Sequence, residues 1–343
     1  MGQSRARSGH QTGINNLVTS GKLFALYVVT GCLFAAATPS AQAQGFPTCK
    51  TLRLVIAYPA GGPTDVQGRI IAQKLGERLA QNIVVENRGG GGTVIATAFV
   101  AKAPPDGCTL LLTAAPFAIN PIVMATLPYD TAKDLAPVTQ TARFPQMLVV
   151  HPVLPVKTVK DLVRLAAATA GGISYASSGN LGTGHLAGEL LSSMSGVNLL
   201  HISYKGSAPA QPDVIAGRVP VMFDSIGSIG QQVTAGKLRA IAVTTAKRSA
   251  QLPAVPTVAE SGFPGYEVSA WQGLVTTGGT PRETVARLAA EISAVLAQKD
   301  LRERFTLLAA ELVGGPPEQF EAFLRAEALR WSKVIRERNI KSE

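Results

Sequence analysis

Tyr58-Pro59-Ala60-Gly61-Gly62-Pro63-Thr64-Asp65 connects a predicted strand to a predicted helix, and this connection is the first indication of the fold class. The run before it, Leu52–Ala57, is mostly apolar and β-branched, which indicates a strand. Four apolar residues after it recur on one helical face: Ile70, Ile71, Leu75 and Leu79. Thr64 and Gln67 have the spacing of a capping box, so the helix is predicted to begin near Thr64.

The two glycines of this loop are also the first candidate for a ligand site. Gly61 and Gly62 precede a helix N-terminus, where backbone N–H groups without obstructing side chains can hold a carboxylate or a phosphate. The alternative is a plain strand–loop–helix turn in which glycine is needed only for a positive φ angle. The local sequence leaves both interpretations open.

Strands and helices alternate along the chain after this loop. The pattern predicts further strands at Ile83–Glu86 and Thr109–Thr113, with a helix between them, and a fresh α/β series from Lys157 onward. Alternation of this kind is typical of a parallel sheet with right-handed crossovers. We therefore predict an α/β fold.

A second small-residue loop repeats the chemistry of the first. Ser177-Ser178-Gly179-Asn180-Leu181-Gly182-Thr183-Gly184-His185 follows a predicted strand, Ile173–Ala176, and enters a helix that ends at Gly196. Ligands of open α/β sheets bind beyond the carboxyl ends of the strands, where both loops are expected to lie. The two loops are thus predicted to face each other across a cleft.

Several enzymatic and cofactor motifs are missing from the sequence. The glycine run at 89–92 lacks the third glycine of a dinucleotide fingerprint, and neither a G-x-x-x-x-G-K-[ST] loop nor a G-x-S-x-G elbow occurs. His185 has no acidic partner nearer than Glu189, and no His or Cys stands at metal-ligand spacing beside the cysteines. The net charge of +10 comes without a basic cluster, so nucleic acid is a poor partner. We predict no catalytic residue, no cofactor and no metal.

The first 43 residues resemble a bacterial export signal. Arg5, Arg7 and Lys22 precede an apolar stretch, 23–37, and Ala41-Gln42-Ala43 has the A-x-A form of a cleavage site. The apolar stretch is shorter than the about 20 residues of a membrane-spanning helix. Cys32 could be read as a lipidation site, but it lies inside the apolar stretch. Export to the periplasm, with cleavage near Ala43, is predicted.

Two cysteines follow the predicted cleavage site, and each lies just before a predicted strand. If the strands after Cys49 and Cys108 are parallel neighbours, the two thiols start from matching ends about 4.8 Å apart, which is close to disulfide range. An oxidising compartment favours a Cys49–Cys108 bridge. The alternative is a pair of free, buried thiols.

A series of short motifs makes the chain similar to a known family. They are Tyr58–Asp65, Asn87-Arg88 before the glycine run, Pro105-Asp106-Gly107-Cys108-Thr109-Leu110-Leu111, Ile119-Asn120-Pro121, Gly182-Thr183-Gly184-His185-Leu186, Tyr204-Lys205-Gly206 and Pro256–Phe263. Together they resemble the Bug/TctC family, the periplasmic solute-binding proteins of tripartite tricarboxylate transporters. Cys108 departs from the family, where an aromatic residue is commoner, and so does Ala60, where the family has Pro or Gly.

The resemblance implies a two-lobed Venus-flytrap fold of type II-like organisation, each lobe a mainly parallel sheet flanked by helices. Lobe 1 is predicted to comprise residues 44–149 plus 262–343, and lobe 2 residues 150–261, with the ligand in the cleft. In the family, the two loops hold a carboxylate through backbone N–H groups, hydroxyls and ordered waters. By position, the ligand-binding residues would be Tyr58, Pro59, Ala60, Gly61, Gly62, Thr64, Asp65, Ser177, Ser178, Gly179, Gly182, Thr183 and His185. Residues at the ends of other strands complete the set: Thr113, Ala115, Tyr204, Lys205 and Asp224.

The expected function is capture of a small carboxylate, which could be a di- or tricarboxylate, an amino acid or an aromatic acid. The expected partners are the permease subunits of a tripartite transporter, and the protein is expected to be a monomer. Two other functions compete with this one. The protein could sense a ligand and dock onto a signalling partner, or it could be a secreted α/β hydrolase that uses Ser178, His185 or Asp224.

Overall fold

In the computed structural model, which describes residues 49–61, 63–307 and 309–340, ten strands pair into one sheet. The predicted export signal and Gly62 lie outside the described residues. The strands are β1 (Thr51–Ile56), β2 (Asn82–Asn87), β3 (Thr109–Ala114), β4 (Leu135–Val150), β5 (Ile173–Ser177), β6 (Leu199–Ser203), β7 (Val221–Ser225), β8 (Arg239–Val243), β9 (Ser269–Thr277) and β10 (Glu311–Leu312). The helices are α1 (Pro63–Leu79), α2 (Val94–Ala101), α3 (Pro116–Val123), α4 (Val159–Ala168), α5 (Thr183–Ser195), α6 (Ser207–Ile215), α7 (Ile226–Thr234), α8 (Arg282–Leu296), α9 (Lys299–Leu307) and α10 (Pro317–Glu337).

The sheet is mixed, with the order β2-β1-β3-β9-β4-β7-β5-β6. β1 pairs in parallel with β2 and β3, and β5 pairs in parallel with β6 and β7, as the alternation of strands and helices predicts. The central strands β4 and β9 run antiparallel to their neighbours. The α/β fold is confirmed, with parallel pairs toward both ends of the sheet and antiparallel pairs in the middle.

The long strand β4 connects two groups of strands. Up to Pro145 it pairs with β9 and β10, and from Gln146 onward it pairs with β7 and β8. We call β1, β2, β3, β9, β10 and the first part of β4 the first half-sheet. The second half-sheet comprises β5 to β8 and the remainder of β4.

Helices cover both faces of the first half-sheet. On one face, apolar residues of α1 and α8, such as Ile71 and Ile292, pack on Leu54 of β1 and Leu112 of β3. On the other face, α2, α3 and α10 join a larger core that continues under α5 of the second half-sheet. Within the part of the chain that the structure describes, none of the helices is both long and apolar enough to span a bilayer.

The predicted disulfide between Cys49 and Cys108 is confirmed, with the two Cα atoms 6.0 Å apart. Its basis is also confirmed, since β1 and β3 are parallel neighbours and Arg53 lies beside Thr109. The backbone N–H of Arg53 donates to the carbonyl oxygen of Cys108 at 2.8 Å. The bridge therefore joins the amino ends of two adjacent strands.

The region of α3 and the strands β4 and β9 differ from the expectation drawn from the sequence. The region around Asn120-Pro121, expected to be a turn-rich connection, forms α3, because Pro116 starts the helix and Pro121 is accommodated inside it. Only the last four residues of β4 were expected as a strand, and β9 was not expected at all. The first part of β4 and β9 pair with each other along nearly their whole length. This pairing offsets the low strand propensity of the prolines of β4 and of Gly273 in β9.

Candidate ligand-binding site

A cavity of about 580 Å³ lies where the carboxyl ends of β1, β3 and β5 meet. Residues from both half-sheets line it: Tyr58, Gly91, Gly92, Ala114, Ala115, Pro116, Asn120, Met124, Ser178, Gly179, Asn180, Leu181, Gly182, Thr183, Ala270 and Trp271. Its size falls within the usual range for small-ligand pockets. Six residues of the predicted site are among them, namely Tyr58, Ala115, Ser178, Gly179, Gly182 and Thr183.

One wall is the loop at 178–182 together with the first turn of α5. The helix begins after Gly182, which makes no side-chain capping bond, so the first backbone N–H groups of α5 are left for another acceptor. A Cβ atom at Gly184 would lie 2.4 Å from the carbonyl oxygen of Phe223, so glycine is required for the close approach to β7. This contact fixes the N-terminus of α5 at the cavity.

Two stacked histidines support this loop from behind. The rings of His185 and His201 have centroids 3.7 Å apart and are inclined by 6°. Nδ1 of His185 accepts the backbone N–H of Leu181 at 3.0 Å, and Nε2 of His201 lies 2.7 Å from the Ser177 hydroxyl. Burial lowers the pKa of His185 to about 4, and burial with the neighbouring His185 lowers the pKa of His201 to about 4. Both rings are therefore neutral at neutral pH.

Ser177 and His185, two residues of the predicted site, thus bind the loop itself. Both are buried, and neither lines the cavity. The Tyr175 hydroxyl donates to Oε1 of Glu189 at 3.0 Å, and Oε2 of Glu189 accepts from Arg338 at 2.7 Å. These bonds complete a polar layer beneath the loop.

The opposite wall comes from the glycine run and α3. Gly91 and Gly92 have φ angles of 55° and 59°, a left-handed conformation that glycine adopts without strain. Nδ2 of Asn120 donates to the carbonyl oxygen of Gly92 at 2.8 Å, which ties α3 to this turn. Burial raises the pKa of Tyr58, so its hydroxyl stays protonated and can donate a hydrogen bond.

Trp271 forms the floor of the cavity beside Ala270. Its Nε1 donates to Oε2 of Glu327 at 3.2 Å, and its ring packs edge-on against Phe320 and Phe323 of α10. These contacts hold the indole in one orientation.

The described residues of the first loop other than Tyr58 do not line the cavity. Asp65 is buried and accepts the backbone N–H of Gly61 at 2.9 Å, the side chain of Arg69 at 3.0 Å and Nδ2 of Asn87 at 2.9 Å. The bond from Arg69, followed by those from Gly61 and Asn87, lowers the pKa of Asp65 to about 2. The Asp65 carboxylate therefore accepts one of the backbone N–H groups that were predicted to bind a ligand.

The remaining predicted site residues do not line the cavity either. Pro59, Ala60, Gly61 and Lys205 are exposed, and Thr113 is buried within β3. Oγ1 of Thr64 accepts the amide of Gln272 at 3.2 Å, and the Tyr204 hydroxyl donates to Asp213 at 2.7 Å. A role of these residues in ligand binding stays a prediction.

Asp224, also a predicted site residue, is buried at the carboxyl end of β7. Its Oδ1 accepts the backbone N–H of Ser225 at 2.8 Å, and the Ser207 hydroxyl donates to Oδ2. Burial raises the pKa of Asp224 to about 6, although hydrogen bonds from Ser225 and Ser228 act in the opposite direction.

This buried carboxyl makes the stability of the fold depend on pH. Because the pKa of Asp224 is higher in the folded chain, the folded state binds more protons than the unfolded state between about pH 4 and 6. The contribution of Asp224 to the free energy of unfolding therefore falls by up to about 3 kcal/mol as the pH rises through this range. Asp224→Asn is expected to remove this fall.

Urea unfolding of the parent chain and of Asp224→Asn at pH 4, 5, 6 and 7 measures the effect. His185 and His201 have lowered pKa values, so their contribution to stability rises with pH over the same range. The difference between the two chains isolates Asp224. A difference that stays constant from pH 4 to 7 would contradict the assignment.

Ten of the lining residues were not predicted from the sequence: Gly91, Gly92, Ala114, Pro116, Asn120, Met124, Asn180, Leu181, Ala270 and Trp271. Asn180 and Leu181 were within the quoted second loop, and the glycine run was considered only as a dinucleotide motif. Its position directly after β2 was a usable signal, because loops after parallel strands lie at the same edge of the sheet. Trp271 gave no such signal, since β9 was not predicted.

Three comparisons relate the chain to known proteins. Protein BugT of Bordetella pertussis is 34% identical over 92% of this chain and 98% of its own length. The R. palustris protein Rpa4515, solved with adipate, is 37% identical with a TM-score of 0.73, covering 85% of this chain and 98% of its own. MatC of Rhodopseudomonas palustris, solved with bound malate, is 30% identical with a TM-score of 0.69, covering 83% of this chain and 98% of its own.

The family model described as the tripartite tricarboxylate transporter family receptor, TctC, matches residues 68–340. The match covers most of the chain, and the two solved relatives share its fold. The chain belongs to the TctC/Bug family of periplasmic solute-binding proteins.

Proposed function

We propose that this protein captures a small carboxylate in the cavity at 178–183 and delivers it to the permease subunits of a tripartite tricarboxylate-type transporter. The protein acts as a monomeric binding protein without turnover, in the periplasm, after cleavage near Ala43. The main support for this function is the cavity. There the N-terminus of α5, which has no side-chain cap, lies across from the glycine turn formed by Gly91 and Gly92. Family membership and the acids bound to two relatives support it.

The backbone supplies the donors for a carboxylate. The first N–H groups of α5 and the positive end of its dipole favour an anion at Gly182 and Thr183. The hydroxyls of Tyr58, Ser178 and Thr183 add donors around the same cavity. We propose Tyr58, Ala115, Ser178, Gly179, Gly182 and Thr183 as the ligand-contacting members of the predicted set.

The lobe boundaries belong to the same proposal. Residues 44–149 with 262–343 would move against 150–261, with hinges at the crossings near 150 and 260. The change of partners within β4 at Pro145 and Gln146 lies close to the first crossing and supports this division. Closure would bring the loop at 178–182 toward Tyr58 and the glycine turn.

A thermal-shift screen of residues 44–343 with mono-, di- and tricarboxylates tests the function. A ligand that binds the folded state stabilises it by about 2.7 kcal/mol at a concentration 100 times its Kd. We expect at least one carboxylate to raise Tm in this way. If no carboxylate raises Tm and an ester or amide is hydrolysed instead, the proposal is wrong.

Thr183→Glu tests the location of the site. A carboxylate in the first turn of α5 is compatible with the helix dipole but repels a bound carboxylate, so affinity should fall by about 100-fold. Ala208→Glu places the same charge in the first turn of α6, outside the cavity, and serves as the control. Equal affinities of the two variants would place the carboxylate elsewhere.

A further inference from the structure

Part of the cavity lining is apolar, and we call Met124, Leu181 and Trp271 the hydrocarbon wall. Seven of its sixteen lining residues carry apolar side chains, and the three largest are Met124, Leu181 and Trp271. They come from the end of α3, the loop before α5 and β9, so they surround the space from three elements. Much of a bound ligand's surface would therefore contact carbon atoms.

Charged side chains are absent from the described lining of this space. In the described residues, the lining set contains no Asp, Glu, Lys, Arg or His. The buried carboxylates of the surrounding elements are bound by other groups. Glu327 accepts both indole N–H groups, Asp65 accepts from Arg69 and Asn87, and Glu189 accepts from Arg338.

This lining favours the binding of a carboxylate over that of an ammonium group. A carboxylate finds backbone N–H groups at the N-terminus of α5 and hydroxyls at Ser178 and Thr183. An ammonium group would be buried without a carboxylate partner, which is strongly unfavourable. The positive end of the α5 dipole adds repulsion near Thr183.

We propose that the ligand is a mono- or dicarboxylate with a hydrocarbon body, an aliphatic chain or an aromatic ring, that carries no amino group. This inference rests on the proposed function, because it assumes that the cavity holds the carboxylate. The ligand's carboxylate lies at the N-terminus of α5, and its body lies against Met124, Leu181 and Trp271.

Matched pairs of acids test the inference on the unmodified residues 44–343. The pairs are adipate with 2-aminoadipate, succinate with aspartate, and 3-phenylpropionate with phenylalanine, each differing by one ammonium group. Calorimetric titration is expected to give at least about 10-fold weaker binding for the amino member of every pair whose other member binds. Tighter binding of an amino member would overturn the inference while leaving the proposed function intact. If no acid of any pair binds, the inference fails, and the proposed function fails with it only where no carboxylate raises Tm in the screen.

Met124→Gln tests the hydrocarbon wall. The two side chains are similar in length, but the amide must lose its hydration against a ligand's apolar body, so binding of the preferred acid should weaken about 5-fold or more. Met194→Gln is the matched control, because Met194 is exposed on α5 outside the cavity. An affinity unchanged in Met124→Gln, at an unchanged melting temperature, would contradict the proposed position of the hydrocarbon body.

Discussion

Replacing Cys49 and Cys108 together with alanine is expected to lower the free energy of unfolding by about 4 kcal/mol, as the chain-entropy model predicts for a loop of about 60 residues. The two cysteines are 59 residues apart in sequence. The bridge restricts the unfolded chain across β1, α1, β2 and α2, the segments that build one end of the sheet. Both cysteines are half-buried, so truncation to alanine adds little loss of packing.

Urea unfolding with and without reductant measures this contribution. The reduced parent chain and the double variant should unfold at the same urea concentration, and the oxidised parent chain at a higher one. Thiol counting on the unfolded, unreduced residues 44–343 should find no free thiol. Two free thiols, or an oxidised chain no more stable than the reduced one, would contradict the bridge.

The sequence predicted this bridge because its evidence was local. Each cysteine lies directly before a β-rich run, and the strand–helix alternation places those runs side by side in parallel. The antiparallel centre of the sheet had no local signal. β4 contains Pro137, Pro145 and Arg143, and its strand conformation depends on partners more than 100 residues away in β9.

The ligand-binding site was predicted unevenly for a similar reason. The loop at 177–185 carries its own signal, and all six residues of 178–183 line the cavity. The first loop carried the same signal, but Asp65 folds back onto Gly61. An acidic residue in the first turn of a helix can satisfy the N–H groups before it, and this competitor was visible in the sequence.

Glu327→Ala is expected to lower the free energy of unfolding by about 4 kcal/mol, because a buried carboxylate that accepts several bonds is removed. Oε2 of Glu327 accepts Nε1 of Trp271 at 3.2 Å and Nε1 of Trp331 at 3.0 Å, and Arg330 lies 3.3 Å from Oε1. Without the carboxylate, two buried indole N–H groups lose their acceptor. Glu321→Ala is the control on the same helix, since the ion pair of Glu321 with Arg325 is exposed and its loss should cost about 1 kcal/mol or less.

The same substitution should also weaken ligand binding, because Trp271 lines the cavity and Glu327 holds its indole. The chain contains two tryptophans, and both donate to this one carboxylate. Tryptophan fluorescence emission therefore reports on the surroundings of Trp271 in the hydrocarbon wall, while circular dichroism follows unfolding independently. Glu327→Gln keeps one acceptor oxygen, so its stability and affinity should lie between those of the parent chain and Glu327→Ala. If Glu327→Ala shifts neither the unfolding midpoint nor the emission, the carboxylate does not position Trp271, and the rigidity of the hydrocarbon wall must come from Phe320 and Phe323 alone.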